Sequence, residues 1–307
     1  MIISASRRTD IPAFFSDWFY NRIAEGYLLV RNPFNRHQIS WIDLSPEAVD
    51  CIVFWTKNPA RMMGKILSLA DYTFYFHYTL NGYGKILEPN VPLWMESIDN
   101  FKNLSQIIGK DRIIWRYDPI VLNKQFNIKY HAKMFEQIAY KLSGKTRRCV
   151  ISFFDMYRKV RQKMASVPVV EILIEQMIEL AAIIDRISSL YGIEVTSCAE
   201  AVDLTEYGIE HGRCIDDQII SEISGFPLNV MKDPGQRTEC GCVASVDVGS
   251  YNTCVHECLY CYANFNHNLV WRNYNSHDPK SPFLFGCTES EDKIYSRKAA
   301  IHKKIQK

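Results

Sequence analysis

The run Cys254-Val255-His256-Glu257-Cys258-Leu259-Tyr260-Cys261 places three thiols within eight residues, separated by three residues and then by two. Thiolates are soft ligands, and three so crowded converge on one centre only if that centre is a metal ion or an iron-sulfur cluster. A cluster takes four ligands and this run supplies three, which leaves one position open to a small molecule, as in reactive rather than structural metal sites. Read as structural zinc, the same run would be three quarters of a site completed elsewhere, although such sites usually begin as paired Cys-x2-Cys units.

Upstream, Cys240-Gly241-Cys242 can grip a single centre if the backbone turns tightly at the glycine. With Cys198 and Cys214 it makes a complete set of four thiolates, suited to a second, auxiliary 4Fe-4S cluster or to zinc. The plainer alternative is four unconnected thiols, since free cysteine packs well as a small apolar side chain. Cys51 and Cys149 begin apolar runs and read as core, and Cys287 carries no assignment. His256 and Tyr260, inside the triplet, are placed to hydrogen-bond to a cluster or shield it from water. Tyr262 reads as packing under the loop, and His131 and His211 as structural.

These residues need a scaffold that brings them to one mouth. Short β-rich apolar runs at 2–4, 51–55, 73–80, 112–117, 149–153, 194–198 and 243–246 alternate with helical patterns at 14–24, 60–69, 93–108, 128–142 and 171–191. Repeated βα units of this kind build a parallel sheet. Segments 27–30 and 38–44 flank Asn32-Pro33-Phe34-Asn35-Arg36 and read as a hairpin whose first arm joins the barrel or stays outside it. The expected fold is therefore a TIM-like (βα) barrel, full or partly open, with the thiol loop after the last strand. Residues 1–287 form one domain, its cysteine-rich segment spanning about 198–287, and 288–307 form a charged tail that is a solvated helix or frayed.

In such folds ligands bind at the carboxyl ends of the strands. Those ends carry Ser6-Arg7-Arg8-Thr9-Asp10, Thr56-Lys57-Asn58-Pro59, Thr79-Leu80-Asn81, Arg116-Tyr117-Asp118-Pro119, then Asp155, Tyr157 and Arg158, and Cys198-Ala199-Glu200. Thr9, Asn58 and Asn81 serve equally well as caps. Arg7, Arg8, Lys57 and Arg116 require anions opposite. Asp10, Asp118, Asp155 and Glu200 neutralise some, and a carboxylate- or phosphate-bearing ligand would occupy the rest. Asp10, Tyr117, Asp118 and Glu200 are the candidate substrate-contacting or proton-handling residues.

With 36 basic against 34 acidic residues, charge points to neither nucleic acid nor a membrane as partner. A hydrophobic fraction of 47% supplies an ordinary core. Ten cysteines behind an opening Met1-Ile2-Ile3-Ser4, with no basic and apolar leader, fit a reducing cytoplasm rather than a disulfide framework.

The triplet spacing, with an aromatic residue before the third cysteine, is similar to the signature of the radical S-adenosylmethionine (SAM) enzymes. Phe54-Trp55-Thr56-Lys57-Asn58-Pro59, Tyr78-Thr79-Leu80 and Arg116-Tyr117-Asp118-Pro119-Ile120 resemble successive strand ends of the spore-photoproduct-lyase-like branch of that superfamily. The resemblance implies that Cys254, Cys258 and Cys261 hold a 4Fe-4S cluster whose fourth iron is chelated by SAM. Lys57 would meet the SAM carboxylate, with Thr79, Arg116, Arg7 and Arg8 as further cofactor contacts. It also implies reductive cleavage of SAM to a 5'-deoxyadenosyl radical, a reductant such as a flavodoxin or ferredoxin, and a small-molecule or peptide substrate.

Two features depart from that pattern. The triplet follows the last strand instead of the first, which a circularly permuted barrel accommodates, and the glycine-rich step that contacts the SAM amino group is not found. The whole chain also resembles a prokaryotic family of unassigned function that shares the opening Ser-Arg-Arg-Thr-Asp-Ile-Pro and the closing cysteine motif. The alternatives are an iron-sulfur electron-transfer protein without SAM and a zinc-stabilised barrel acting as hydrolase or binding protein. A nucleic-acid repair role, the other implication of the lyase-like branch, has little support from the charge balance.

Overall fold

The structure is a computed structural model that describes residues 1–156 and 160–297. Its strands are β1 (Ile2–Ala5), β2 (Tyr27–Arg31), β3 (Gln38–Asp43), β4 (Cys51–Thr56), β5 (Phe74–Thr79), β6 (Ile113–Ile120), β7 (Arg148–Phe153), β8 (Glu194–Ser197), β9 (Glu210–His211), β10 (Val246–Asp247) and β11 (Lys293–Ser296). Eight of them form one sheet in the order β10-β1-β4-β5-β6-β7-β8-β9, every neighbouring pair parallel. This is a mixed α/β fold. The sheet is not closed among the described residues, β9 and β10 being its two edges, so a complete barrel is not what the strand pairing describes.

Side chains alternate across each strand, and the two faces have separate fates. Ile3, Ala5, Ile52, Phe54, Phe74, Phe76, Trp115 and Ile151 point into the larger core, which the helices cover. Helix Ile128–Leu142 shows how: Asn127 caps its start by accepting from the Tyr130 N–H, and His131, Phe135, Ile138, Ala139 and Leu142 form its buried stripe. The opposite face carries Ile2, Cys51, Val53, Tyr75, Ile114 and Val150 and packs beneath Ile215, Ile219, Ile220 and Val243. Helix Asp217–Ser224 and the segments flanking it therefore lie across the second face.

The hairpin forms as read, Tyr27 opposite Asp43, but neither arm enters the large sheet. It builds a second sheet with β11, which pairs parallel to β3, so the charged tail contributes a strand at Lys293–Ser296 where a solvated helix or frayed end was expected. Paired charges explain the difference: Arg31 meets Asp292 at 2.6 Å, and Arg36 meets Glu289. Residues 298–307 of that tail, and Tyr157 and Arg158, lie outside the described residues. The last strand of the large sheet is shorter and later than 243–246, because Val243 sits in a bridge with Lys232 before β10 begins. No helix among the described residues is long and apolar enough to cross a membrane.

Phe54 marks the centre of the larger core, stacked on Phe76 at 4.6 Å and edge-on to Phe19 at 5.3 Å, with no exposed surface. Replacing it with alanine should cost about 3–5 kcal/mol of stability, read as a lower denaturation midpoint in urea.

Candidate functional site

The alternation that buries Phe54 and Trp115 turns Trp55, His77, Thr79, Arg116, Asp118 and Ser152 to the second face, towards the carboxyl ends of β4 to β7. There the segment that covers this face is pinned by its Cys214 carbonyl, which accepts from Tyr75 Oη at 2.7 Å and lies 2.6 Å from His77 Nε2. Burial brings the His77 pKa down to about 3, so the ring is neutral and Nε2 carries the donated proton.

A cavity of about 340 Å³ opens at these strand ends, within the range of small-molecule sites. Its wall includes Arg7, Arg8 and Asp10 after β1, Lys57 after β4, Thr79 at the end of β5, and Arg116 and Asp118 on β6. Glu200 follows β8, and the seven cysteines of the two expected ligand sets complete the wall. The parallel pairing of β10 with β1, Ile3 to Val246 and Ser4 to Asp247, is what brings the triplet loop to the same mouth as Arg7 and Asp10.

That loop is fastened at several points. Glu257 adopts φ 54, the left-handed turn between the first two thiols. His256 Nε2 lies 3.0 Å from Asp10 Oδ2, while Leu259 N–H donates to the Leu87 carbonyl at 2.9 Å and Asn90 N–H to the His256 carbonyl at 3.3 Å. Lys163 donates to the carbonyls of Cys258 and Cys261 at 3.1 and 2.9 Å. Tyr260 donates to Glu88 Oε1, the oxygen that accepts from Lys57 Nζ at 2.7 Å. Burial alone would lower the Lys57 ammonium pKa, but Glu88 opposite more than offsets it and the group stays charged.

The carboxylates expected opposite the cations answer them only in part. Arg116 is bound by Asp118 at 2.5 Å and donates to Cys214 Sγ at 2.8 Å. Burial raises the Asp118 carboxyl and Arg116 then pulls it below its usual value. Asp10 serves His256 and caps the following turn through the Ala13 N–H instead of balancing a cation. Arg7 and Arg8 share Asp247 at 4.0 and 3.8 Å, loose contacts that leave guanidinium donors for a ligand. Asp155 faces Arg237 at 2.9 Å.

Burial lifts the Glu200 carboxyl from its ordinary 4.5 to about 7, with Phe153 N–H donating to it at 2.8 Å. A carboxyl poised near neutrality on a cavity wall suits proton transfer.

Among the described residues, no three His, Cys, Asp or Glu side chains already stand as a metal-ion site. The chemistry of the donor sets nevertheless fits thiolate-held centres. Cys261 lies close enough to Cys254 and Cys258 that its thiolate would disfavour theirs, and burial pushes Cys258 up to about 12 against the pull of Lys57 and Lys163. A bound cation would displace those protons. In the other set Cys198 and Cys214 sulfurs lie 3.0 Å apart, and Cys240 and Cys242 line the same wall.

Tyr117 is not at the site. It points from β6 into the opposite core, hydrogen-bonded to His131 Nδ1 at 2.7 Å, because its neighbours Arg116 and Asp118 occupy the other face. Tyr262 does not pack under its loop; it lines the cavity and donates to the Arg7 carbonyl at 3.1 Å. Asn58 accepts from the Ala60 N–H in a local turn ahead of the helix, whose N-cap is Pro59, whereas Asn81 fixes Asp118 by accepting from its N–H and donating to its carbonyl, both at 2.8 Å. Cys51 and Cys149 are fully buried.

Glu88, Lys163 and Asp247 are the additions. Asp247 accepts from Ser4, Ser6, Arg7 N–H and Gly249 N–H at 2.7–3.0 Å, riveting β10 to the chain after β1. A Cβ at Gly249 would lie 2.0 Å from Ser6 Oγ. Glu88 sits in a loop, Lys163 in the short helix Arg161–Met164 and Asp247 at a strand end, and only the carboxylate directly after an apolar Val243–Val246 run gave a signal, at Asp247.

No curated protein matches the chain. Among solved structures, a "putative alpha-L-fucosidase" from Bacteroides thetaiotaomicron VPI-5482 aligns at 11% identity over 76% of this chain and 85% of that one, with a TM-score of 0.25, too slight a likeness to carry an argument. A family profile described as a domain of unknown function, DUF1848, matches residues 2–263, and the chain belongs to that family.

Proposed function

We propose that the chain is an iron-sulfur enzyme of the radical SAM type, built on a partly open barrel, with Cys254, Cys258 and Cys261 as ligands of a 4Fe-4S cluster. The observation that carries this reading is the meeting of the C-terminal triplet with Lys57, Arg7 and Arg8 around one cavity, although nearly two hundred residues separate Lys57 from Cys254. When bound and reduced, the cluster supplies the electron that cleaves SAM to methionine and a 5'-deoxyadenosyl radical.

The residues divide the remaining work. Lys57 presents a permanently charged ammonium with donors beyond the one held by Glu88, suited to a carboxylate ligand. Arg7 and Arg8 suit a second anionic group. Arg116, committed to Asp118 and Cys214, positions the wall rather than receiving a ligand. Tyr260, Leu259 and Tyr83 shield the triplet from water. Glu200 takes or gives the proton that accompanies product formation. Anaerobically reconstituted and reduced protein should convert SAM to 5'-deoxyadenosine; none, with iron and sulfide bound, would overturn the reading.

Glu200 also yields a pH prediction. Its folded-state pKa is raised, so the stabilisation of the protonated form is complete below about 4.5 and is lost as pH rises through about 7. Wild type should therefore lose stability relative to Glu200→Gln between those values and stay parallel to it above, measured as melting temperature against pH.

A further inference from the structure

A second metal centre of a different size is written into the chain of sulfurs. We propose that Cys198, Cys214, Cys240 and Cys242 hold a single tetrahedral ion of the zinc class and not an iron-sulfur cube. Four thiolates around one ion, with metal–sulfur bonds of about 2.3 Å, stand about 3.8 Å from one another. In a cube each thiolate caps a separate iron, and the sulfurs stand well apart. Here Cys198 and Cys214 sulfurs are 3.0 Å apart, and Cys240 and Cys242 lie on the same wall of the cavity. Admitting one ion requires that pair to part by under about 1 Å.

Two further contacts suit bound thiolates. Arg116 Nη1 donates to Cys214 Sγ at 2.8 Å, and Ile215 N–H donates to Cys242 Sγ at 3.4 Å. Donors aimed at sulfur are the outer hydrogen bonds that stabilise metal thiolates. Zinc with four thiolates carries a net charge of −2. The Arg116 guanidinium, buried against the set though shared with Asp118, and Arg7 on the same wall offset part of it. On binding, the ion enters as a dication and the thiol protons leave to solvent.

Placement gives the site its purpose. Cys198 follows β8, Cys214 follows β9, and Cys240 and Cys242 precede β10. The ion would tie the β8–β9 side of the sheet to the segment that crosses the second face and feeds β10. It would thereby hold the cavity wall in place between the two open edges.

Metal analysis of the full chain tests this independently of the triplet. Wild type and a Cys254→Ala, Cys258→Ala, Cys261→Ala variant should each hold about one zinc per chain, and Cys240→Ser with Cys242→Ser should lower it at least ~tenfold. Should that double variant fail to fold, cobalt-loaded wild type should show the visible bands of a tetrahedral four-thiolate ion. Iron with sulfide retained in the triplet variant would overturn the proposal in favour of a cube. So would metal-free protein with a Cys198–Cys214 disulfide, or cobalt bound without those bands.

Discussion

Alanine at Cys258 is expected to abolish SAM cleavage, lowering 5'-deoxyadenosine formation by at least about three orders of magnitude, or some 4 kcal/mol of barrier. The thiol is buried at the cavity, between Lys57 and Lys163 in charge and between Cys254 and Cys261 in sequence. A cluster left with two protein ligands loses its hold as well as its open corner, so iron content should fall with activity. Retained activity in the variant would remove Cys258 from the ligand set. Far-ultraviolet circular dichroism should remain that of the wild type, because Cys258 belongs to a small satellite cluster with Tyr83, Leu87 and Tyr260 and not to the main core.

Glu88→Gln is expected to be the most destabilising polar substitution at the site, at about 3–5 kcal/mol in urea unfolding. The reason is asymmetry. Lys57 and Glu88 side chains are 13% and 6% exposed, and removing the carboxylate strands a buried ammonium 2.7 Å from where its partner stood. The same change leaves one neutral amide oxygen where a carboxylate received both Tyr260 and Lys57, which loosens the triplet loop. Lys57→Met should cost a similar amount, and the double variant markedly less than the sum, giving a coupling of about 1–3 kcal/mol in a double-mutant cycle. Additive losses would mean that the two groups do not sense one another.

Much of this architecture is legible in the chain itself. Buried parallel strands are continuous apolar runs, so the strands from 51–55 to 194–198 fall where the apolar runs place them, and 128–142 coincides with its helix. β9 and β11 are two and four residues long, too short for a periodicity to develop. The strand ends named as chemical lie around one cavity, because parallel pairing sends every carboxyl end to the same side.

Tyr117 is a residue whose direction the strand pattern does encode. If Arg116 faces the mouth, its immediate neighbour cannot, and the register of β6 shifts only beyond Tyr117, between it and Ile120. Glu88 and Lys163 had no such signal. Their roles arise from long-range packing, the triplet loop settling on residues 81–91 and 160–164, which no local spacing encodes.

The central claim is an iron-sulfur cluster with one corner left for SAM, and the most direct test is the electron paramagnetic resonance spectrum of the reduced, reconstituted protein before and after SAM is added. The account predicts a cluster signal whose g-values move when SAM binds. A signal that SAM leaves unchanged, from protein that holds its full iron, would mean that no corner is open and would contradict it.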